Sequence, residues 1–135
     1  MCTDNSGKMF TFHFGEKRKN YGSGGVTVAV TEAPIHYPDN QPDWWVYKIS
    51  FSFCSPKDHY SKKMGRLIAG NRVRSDHTTK YGIKTPDQLK IKDMKEIAYK
   101  TLINKNDEGW PSWLPNLLDK INIETNINIG TFKIT

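Results

Sequence analysis

The sequence predicts an α+β domain: an antiparallel sheet packed against two main helices, with an irregular Trp/Pro-rich segment and a C-terminal strand. Three observations point to this class. Apolar and polar side chains alternate in several separate stretches, the pattern of strands with one buried face. Two cap-and-proline signals, Ser55-Pro56 and Thr85-Pro86, each precede a stretch whose apolar residues recur at three and four, the spacing of one helix face. The first two strands are joined by a glycine-rich connection that reads as a hairpin loop.

Residues 8–14 alternate cleanly, with Phe10, Phe12 and Phe14 on one side and Met9, Thr11 and His13 on the other. The following GEKRKNYGSGG places flexible backbone beside Lys17, Arg18 and Lys19, which suits a phosphate. It lacks the spacing of a phosphate-binding loop, so a solvated hairpin tip is the simpler reading. Val26, Val28 and Val30 form a second strand ended by Ala33-Pro34, and residues 35–42 read as a loop. Residues 44–53 make the clearest strand, with Trp45, Tyr47, Ile49, Phe51 and Phe53 on one face. Trp44, Val46, Lys48, Ser50 and Ser52 form a mixed second face, which predicts a partly open side.

The next stretch is FSFCSPKDHYSKKMGRLIAGNRVR. Ser55 is a good N-cap, Pro56 suits the first helical position, and Asp58 closes a capping box, which predicts a helix over 56–70. Tyr60, Met64, Leu67 and Ile68 fall on one face and are expected to pack inward. Lys62, Lys63 and Arg66 lie away from it, with Arg72 and Arg74 expected past the helix end. Gly65 and Ala69, four apart, would admit a second backbone at close range.

A short strand is expected over 80–84, and Thr85-Pro86-Asp87-Gln88 repeats the capping pattern. It predicts a helix over 86–103 with Ile91, Met94, Ile97, Ala98, Thr101 and Leu102 on one stripe. The segment GWPSWLPNLLDKI reads as a packed turn before a short helix over 115–120, with Trp110 and Trp113 as core or interface anchors. In the tail, Ile121, Ile123, Ile127 and Ile129 alternate, and the phase changes across Gly130 to give Phe132 and Ile134. A terminal strand this apolar is expected to pair with the sheet or with another subunit.

At 135 residues the chain is read as a single domain, long enough for a hydrophobic core. No apolar run reaches the roughly 20 residues that span a bilayer, and the first residues lack the pattern of a signal peptide. With only Cys2 and Cys54, no disulfide framework is expected, and a reducing cytoplasm fits best. The net charge of +6 favours an anionic partner. Arginine is scarce, confined to Arg18, Arg66, Arg72 and Arg74, so the clustering of the last three carries weight.

Enzymatic chemistry finds little support. His13, His36, His59 and His77 show no metal-ligand spacing, so no metal or other cofactor is expected. Cys54 lies before a helix start, but its neighbours Phe51 and Phe53 suggest a buried, inert thiol. No nucleophile elbow, P-loop or dinucleotide fingerprint is present. Anion recognition remains. Arg66, Arg72 and Arg74 supply planar donors for phosphate, Lys63 adds charge, and Tyr60 or Tyr81 is placed to contact a base.

The run FSFCSPKDHYSKKMGRLIAGNR resembles a block of the first family of Thoeris anti-defence proteins, phage sponges for signalling nucleotides. The resemblance covers about a fifth of the chain and rests on general similarity; the candidate residues above come from residue chemistry alone. It implies an antiparallel sheet followed by two helices, in homo-oligomers that hold cyclic ADP-ribose isomers without degrading them. In some members it also implies cyclic oligonucleotides as ligands. The expected function is therefore a phage anti-defence sponge acting in the host cytoplasm. A nucleic-acid-binding or regulatory protein using the same basic face is the alternative. A third reading is an inhibitor docking on a host protein through Trp110, Trp113 and the tail.

Overall fold

A computed structural model describes residues 8–15, 25–35, 44–54, 62–75, 80–104, 110–121 and 132–134. It bears out the α+β class. The elements in chain order are strands β1 (Lys8–Gly15), β2 (Gly25–Ile35) and β3 (Trp44–Cys54), helix α1 (Lys62–Arg74) and strand β4 (Lys80–Thr85). Helices α2 (Ile91–Asn104) and α3 (Leu114–Ile121) and strand β5 (Phe132–Ile134) complete it. The five strands form one antiparallel sheet in chain order, β1-β2-β3-β4-β5. The tail thus joins the sheet, pairing with β4. The expected phase change at Gly130 lies outside the described residues, as does the capping signal at Ser55 to Asp58.

Alternation along the strands sorts the sheet into two unlike faces. Register places Phe14 opposite Val26, Val28 opposite Phe51, Val30 opposite Ile49 and Ile49 opposite Tyr81, all on one face. That face meets Met94, Ile97, Ala98, Tyr99 and Leu102 of α2 and Leu114, Leu117 and Leu118 of α3 in a single core. The other face carries small and polar side chains, among them Thr27, Ala29, Thr31, Ser50 and Ser52, and α1 lies on it. A second, small cluster of Ala29, Ala69 and Val73 with Met9 joins helix to sheet there. Layering α1 and α2/α3 on opposite sides explains why β2 is buried from Gly25 to Glu32.

Trp110 and Trp113 are partly buried and pack against the core. Trp110 packs edge-on against Phe51 and Tyr81 with ring centroids 5.6 and 6.1 Å apart, and Trp113 packs against Phe53 at 6.4 Å. Such tilted contacts add about 0.5–1.5 kcal/mol beyond area burial. Both rings are engaged within the chain on one side and partly exposed on the other.

The second capping signal does something other than expected. Thr85 ends β4, its hydroxyl accepts from the Asp87 amide at 3.2 Å, and the α-helix begins only at Ile91, with Met94 N donating to Lys90 O. The intervening residues are held by a partly buried polar network. Tyr47 donates to Glu32 Oε2 at 2.8 Å, and Gln88 Nε2 donates to Glu32 Oε1 at 3.1 Å. The Leu89 amide donates to the Tyr47 oxygen at 2.7 Å. Ile91, expected on the inner stripe of α2, is exposed, and Tyr99 takes a buried place instead, its hydroxyl donating to Leu118 O.

Candidate anion-binding face

Helix α1 carries Lys62, Lys63, Arg66, Arg72 and Arg74 and no acidic residue. Its inward face is the small one. Gly65, Ala69 and Val73 are buried, while Met64 and Leu67, expected to pack inward, are 53% and 58% exposed. The reason is the surface beneath. A side chain at Gly65 would run into Thr27, whose Cβ would lie 2.8 Å from the added carbon. Against Thr, Ala and Ser, a helix gains most contact by approaching closely, so its smallest residues face down. The close approach expected from the Gly65–Ala69 spacing is therefore present, and the inward Met64–Leu67 face is not.

Helical geometry then decides where the cations go. At about 100° per residue, Lys63, Arg66 and Arg74 fall within roughly 80° of one another around the axis. Gly70 sits within that arc, and a Cβ added there would lie 3.3 Å from the terminal methyl of Met9 on β1, so this flank looks toward the β1 edge of the sheet. Arg72 lies roughly 120° or more from Arg66 and Arg74. It points the other way and donates from Nη1 to the carbonyl of Phe51 on β3 at 2.7 Å. The three-arginine clamp expected from the sequence thus divides: Arg66 and Arg74 share a flank, and Arg72 ties α1 to the sheet.

Arg72→Met is accordingly expected to lower stability by about 1 kcal/mol, the scale of one hydrogen bond discounted for the exposure of the side chain. It should leave anion binding nearly intact. Chemical denaturation together with a ligand titration checks both halves.

Tyr81 cannot contact a base. It is 2% exposed and faces the α2/α3 core, between Phe51 and Trp110. Strand parity explains this, since Tyr81 pairs with Ile49 on the large apolar face. Tyr60 lies outside the described residues. The residues missed by sequence reasoning are the exposed Met64 and Leu67 beside the cations, and Met9, Thr11 and His13, which lie on the α1 side of β1. His13 Nδ1 lies 3.0 Å from the hydroxyl of Thr27, under the start of α1. The pairing of Gly65 with Ala69 was the available signal for this orientation.

A cavity of about 570 Å³ opens between α2 and α3, lined by Tyr99, Leu102, Ile103, Leu114, Pro115, Leu118 and Asp119. Among the described residues that line it, Asp119 is the one charged group. Among the described residues there is no group of His, Cys, Asp and Glu able to hold a metal ion. No described helix is long and apolar enough to cross a membrane. Compared with known proteins, the chain matches no protein family, no curated protein and no solved structure.

Proposed function

We propose that this chain is a non-catalytic sponge for a phosphate-bearing cyclic nucleotide signal, acting for a phage in the host cytoplasm. The ligand class is the one the Thoeris anti-defence resemblance implies, a cyclic ADP-ribose isomer or a cyclic oligonucleotide. The observation that carries the reading is the flank of α1 on which Lys63, Arg66 and Arg74 are all exposed, with no acidic residue on the helix to neutralise them. Arginine there offers paired, charge-assisted hydrogen bonds to phosphate, and the neighbouring Leu67 offers an apolar contact to a base. A single helix flank is convex, whereas small ligands bind in concave sites, so a homo-oligomer supplies the enclosure.

The test is thermal unfolding with a panel of cyclic ADP-ribose isomers, cyclic di- and trinucleotides, and short oligonucleotides. A ligand at 100 times its dissociation constant should stabilise the fold by about 2.7 kcal/mol. The shift should vanish in Arg66→Ala and Arg74→Ala, and the ligand should be recovered intact after denaturation. A cleaved product overturns the sponge reading.

Nucleic acid is the second reading, and one observation favours it. Arg66 and Arg74 lie about 12 Å apart along the helix axis, a linear spacing that suits a run of phosphates as well as a compact ligand. Shifts confined to oligonucleotides, with affinity falling steeply with salt, would select it.

A further inference from the structure

We propose that the hollow between α2 and α3 is a binding site for a small molecule with an apolar body and an ammonium head. It is separate from the cationic flank of α1 and does not rest on the anion-binding reading.

The hollow measures about 570 Å³, within the range of roughly 300–1,000 Å³ that small-molecule sites occupy. Side chains in a folded core leave few gaps larger than a water molecule, and this space far exceeds one. Its floor is formed by Tyr99, Leu102, Leu114 and Leu118, all buried, and its rim includes Ile103 and Asp119, both exposed. Tyr99 spans the two helices. Its ring packs on Phe14 with centroids 5.8 Å apart, and its hydroxyl donates to Leu118 O at 3.1 Å. This strut holds α2 and α3 a tyrosine's length apart, and the shorter Leu102 and Leu114 do not fill the space that remains beside it. The floor therefore takes the apolar body of a ligand.

The head follows from the hydrogen-bonding inventory. The phenol proton is already given to Leu118, so the Tyr99 oxygen can only accept from a ligand. The Asp119 carboxylate accepts as well. Backbone donors at the start of α3 are largely spent. The Leu114 and Leu117 amides donate to the carbonyls of Pro111 and Trp113, and Pro115 has no N–H to give. Leu102 and Ile103, by contrast, belong to the last turn of α2, which carries no basic residue and whose carbonyls form the negative end of the helix. The described groups around the hollow thus call for a donor and favour positive charge. An ammonium supplies both.

Tryptamine, tryptophol and indole acetate share one apolar body and differ in a cationic, neutral or anionic head. Each is titrated into the full chain while NMR follows the methyl signals of Leu102, Leu114 and Leu118. The expected result is saturable shifts of these methyls, with tryptamine binding about fivefold more tightly than tryptophol, the scale of one exposed ion pair, and indole acetate weakest. Asp119→Asn should remove most of the advantage of tryptamine and leave tryptophol unchanged. Ile103→Trp should block all three probes. Both positions are exposed, so both variants should keep the native circular dichroism spectrum. Methyls that do not respond to any probe, or that respond equally in Ile103→Trp, overturn the site. Equal binding of tryptamine and tryptophol, tightest binding of indole acetate, or an advantage of tryptamine that survives Asp119→Asn overturns the ammonium head. Nucleotide binding at α1 is read separately through Arg66→Ala, so its failure leaves this site standing.

Discussion

Gly65→Val is expected to destabilise the protein by about 2–4 kcal/mol and to abolish anion binding, while Gly70→Ala is expected to be neutral or mildly stabilising. Both glycines lie in α1, where replacing glycine by alanine gains up to about 1 kcal/mol of helix propensity. What separates them is the surface each one meets. A Cβ at Gly65 would collide with the hydroxyl of Thr27 and approach its Cβ at 2.8 Å. Thr27 is fully buried, β-branched, and hydrogen-bonded to His13, so it cannot turn aside. The helix must lift instead, losing the Ala29–Ala69–Val73 contacts, and overpacking of this kind typically costs 1–3 kcal/mol before the lost contacts are added, so the total is about 2–4. A Cβ at Gly70 would have as its nearest neighbour the terminal methyl of Met9, 3.3 Å away, which moves easily. Urea denaturation ranks the two variants. Equal losses would show that the small inner face of α1 is not what seats it.

Tyr47→Phe is expected to cost about 2–4 kcal/mol at neutral pH. The phenol is fully buried, donates to Glu32 and accepts from the Leu89 amide, so its removal strands two partners at once. Each buried group left without its hydrogen bond costs about 1–3 kcal/mol, and Gln88 continues to hold the other Glu32 oxygen, which limits the damage.

The same phenol sets an alkaline limit. Burial pushes its pKa well above the ordinary value of 10.0, with the nearby Glu32 raising it further and the Leu89 amide opposing. In the unfolded chain this tyrosine loses its proton near pH 10, while the folded chain keeps it. Above that pH the unfolded state binds fewer protons, so stability falls as pH rises. The contribution is fully present below pH 10 and declines above it by up to about 1.4 kcal/mol per unit. The difference in unfolding free energy between the native chain and Tyr47→Phe should therefore shrink between about pH 10 and 11.5. A difference that holds constant over this range would show that Tyr47 ionises normally.

Legibility followed the strength of the local pattern. Period-two alternation assigned the faces of β1, β2 and β3 correctly, because a strand can turn its side chains only two ways. The cationic character of residues 62–74 was equally plain. The direction in which those cations point was not. A helix offers many faces, and the choice among them depends on the size of the side chains it lands on. Reading Met64 and Leu67 as inward assumed an apolar floor, whereas the large apolar face of the sheet is taken by α2 and α3. α1 meets threonine, alanine and serine, where close approach outweighs side-chain bulk. The start of α2 was misplaced for a related reason. Thr85 is a good cap locally, but the Tyr47 hydroxyl, 42 residues away in sequence, takes the Leu89 amide and delays the helix.

By itself, then, the sequence determined the α+β class, the identity of the buried strand faces and the concentration of arginine in one short stretch. These depend on neighbours within a few residues. Only the tertiary structure decided that Arg72 is a tether, that Arg66 and Arg74 share a flank with Lys63, and that Tyr81 is core. Those outcomes depend on which elements meet across the sheet, and local spacing carries no information about the shape of a distant partner.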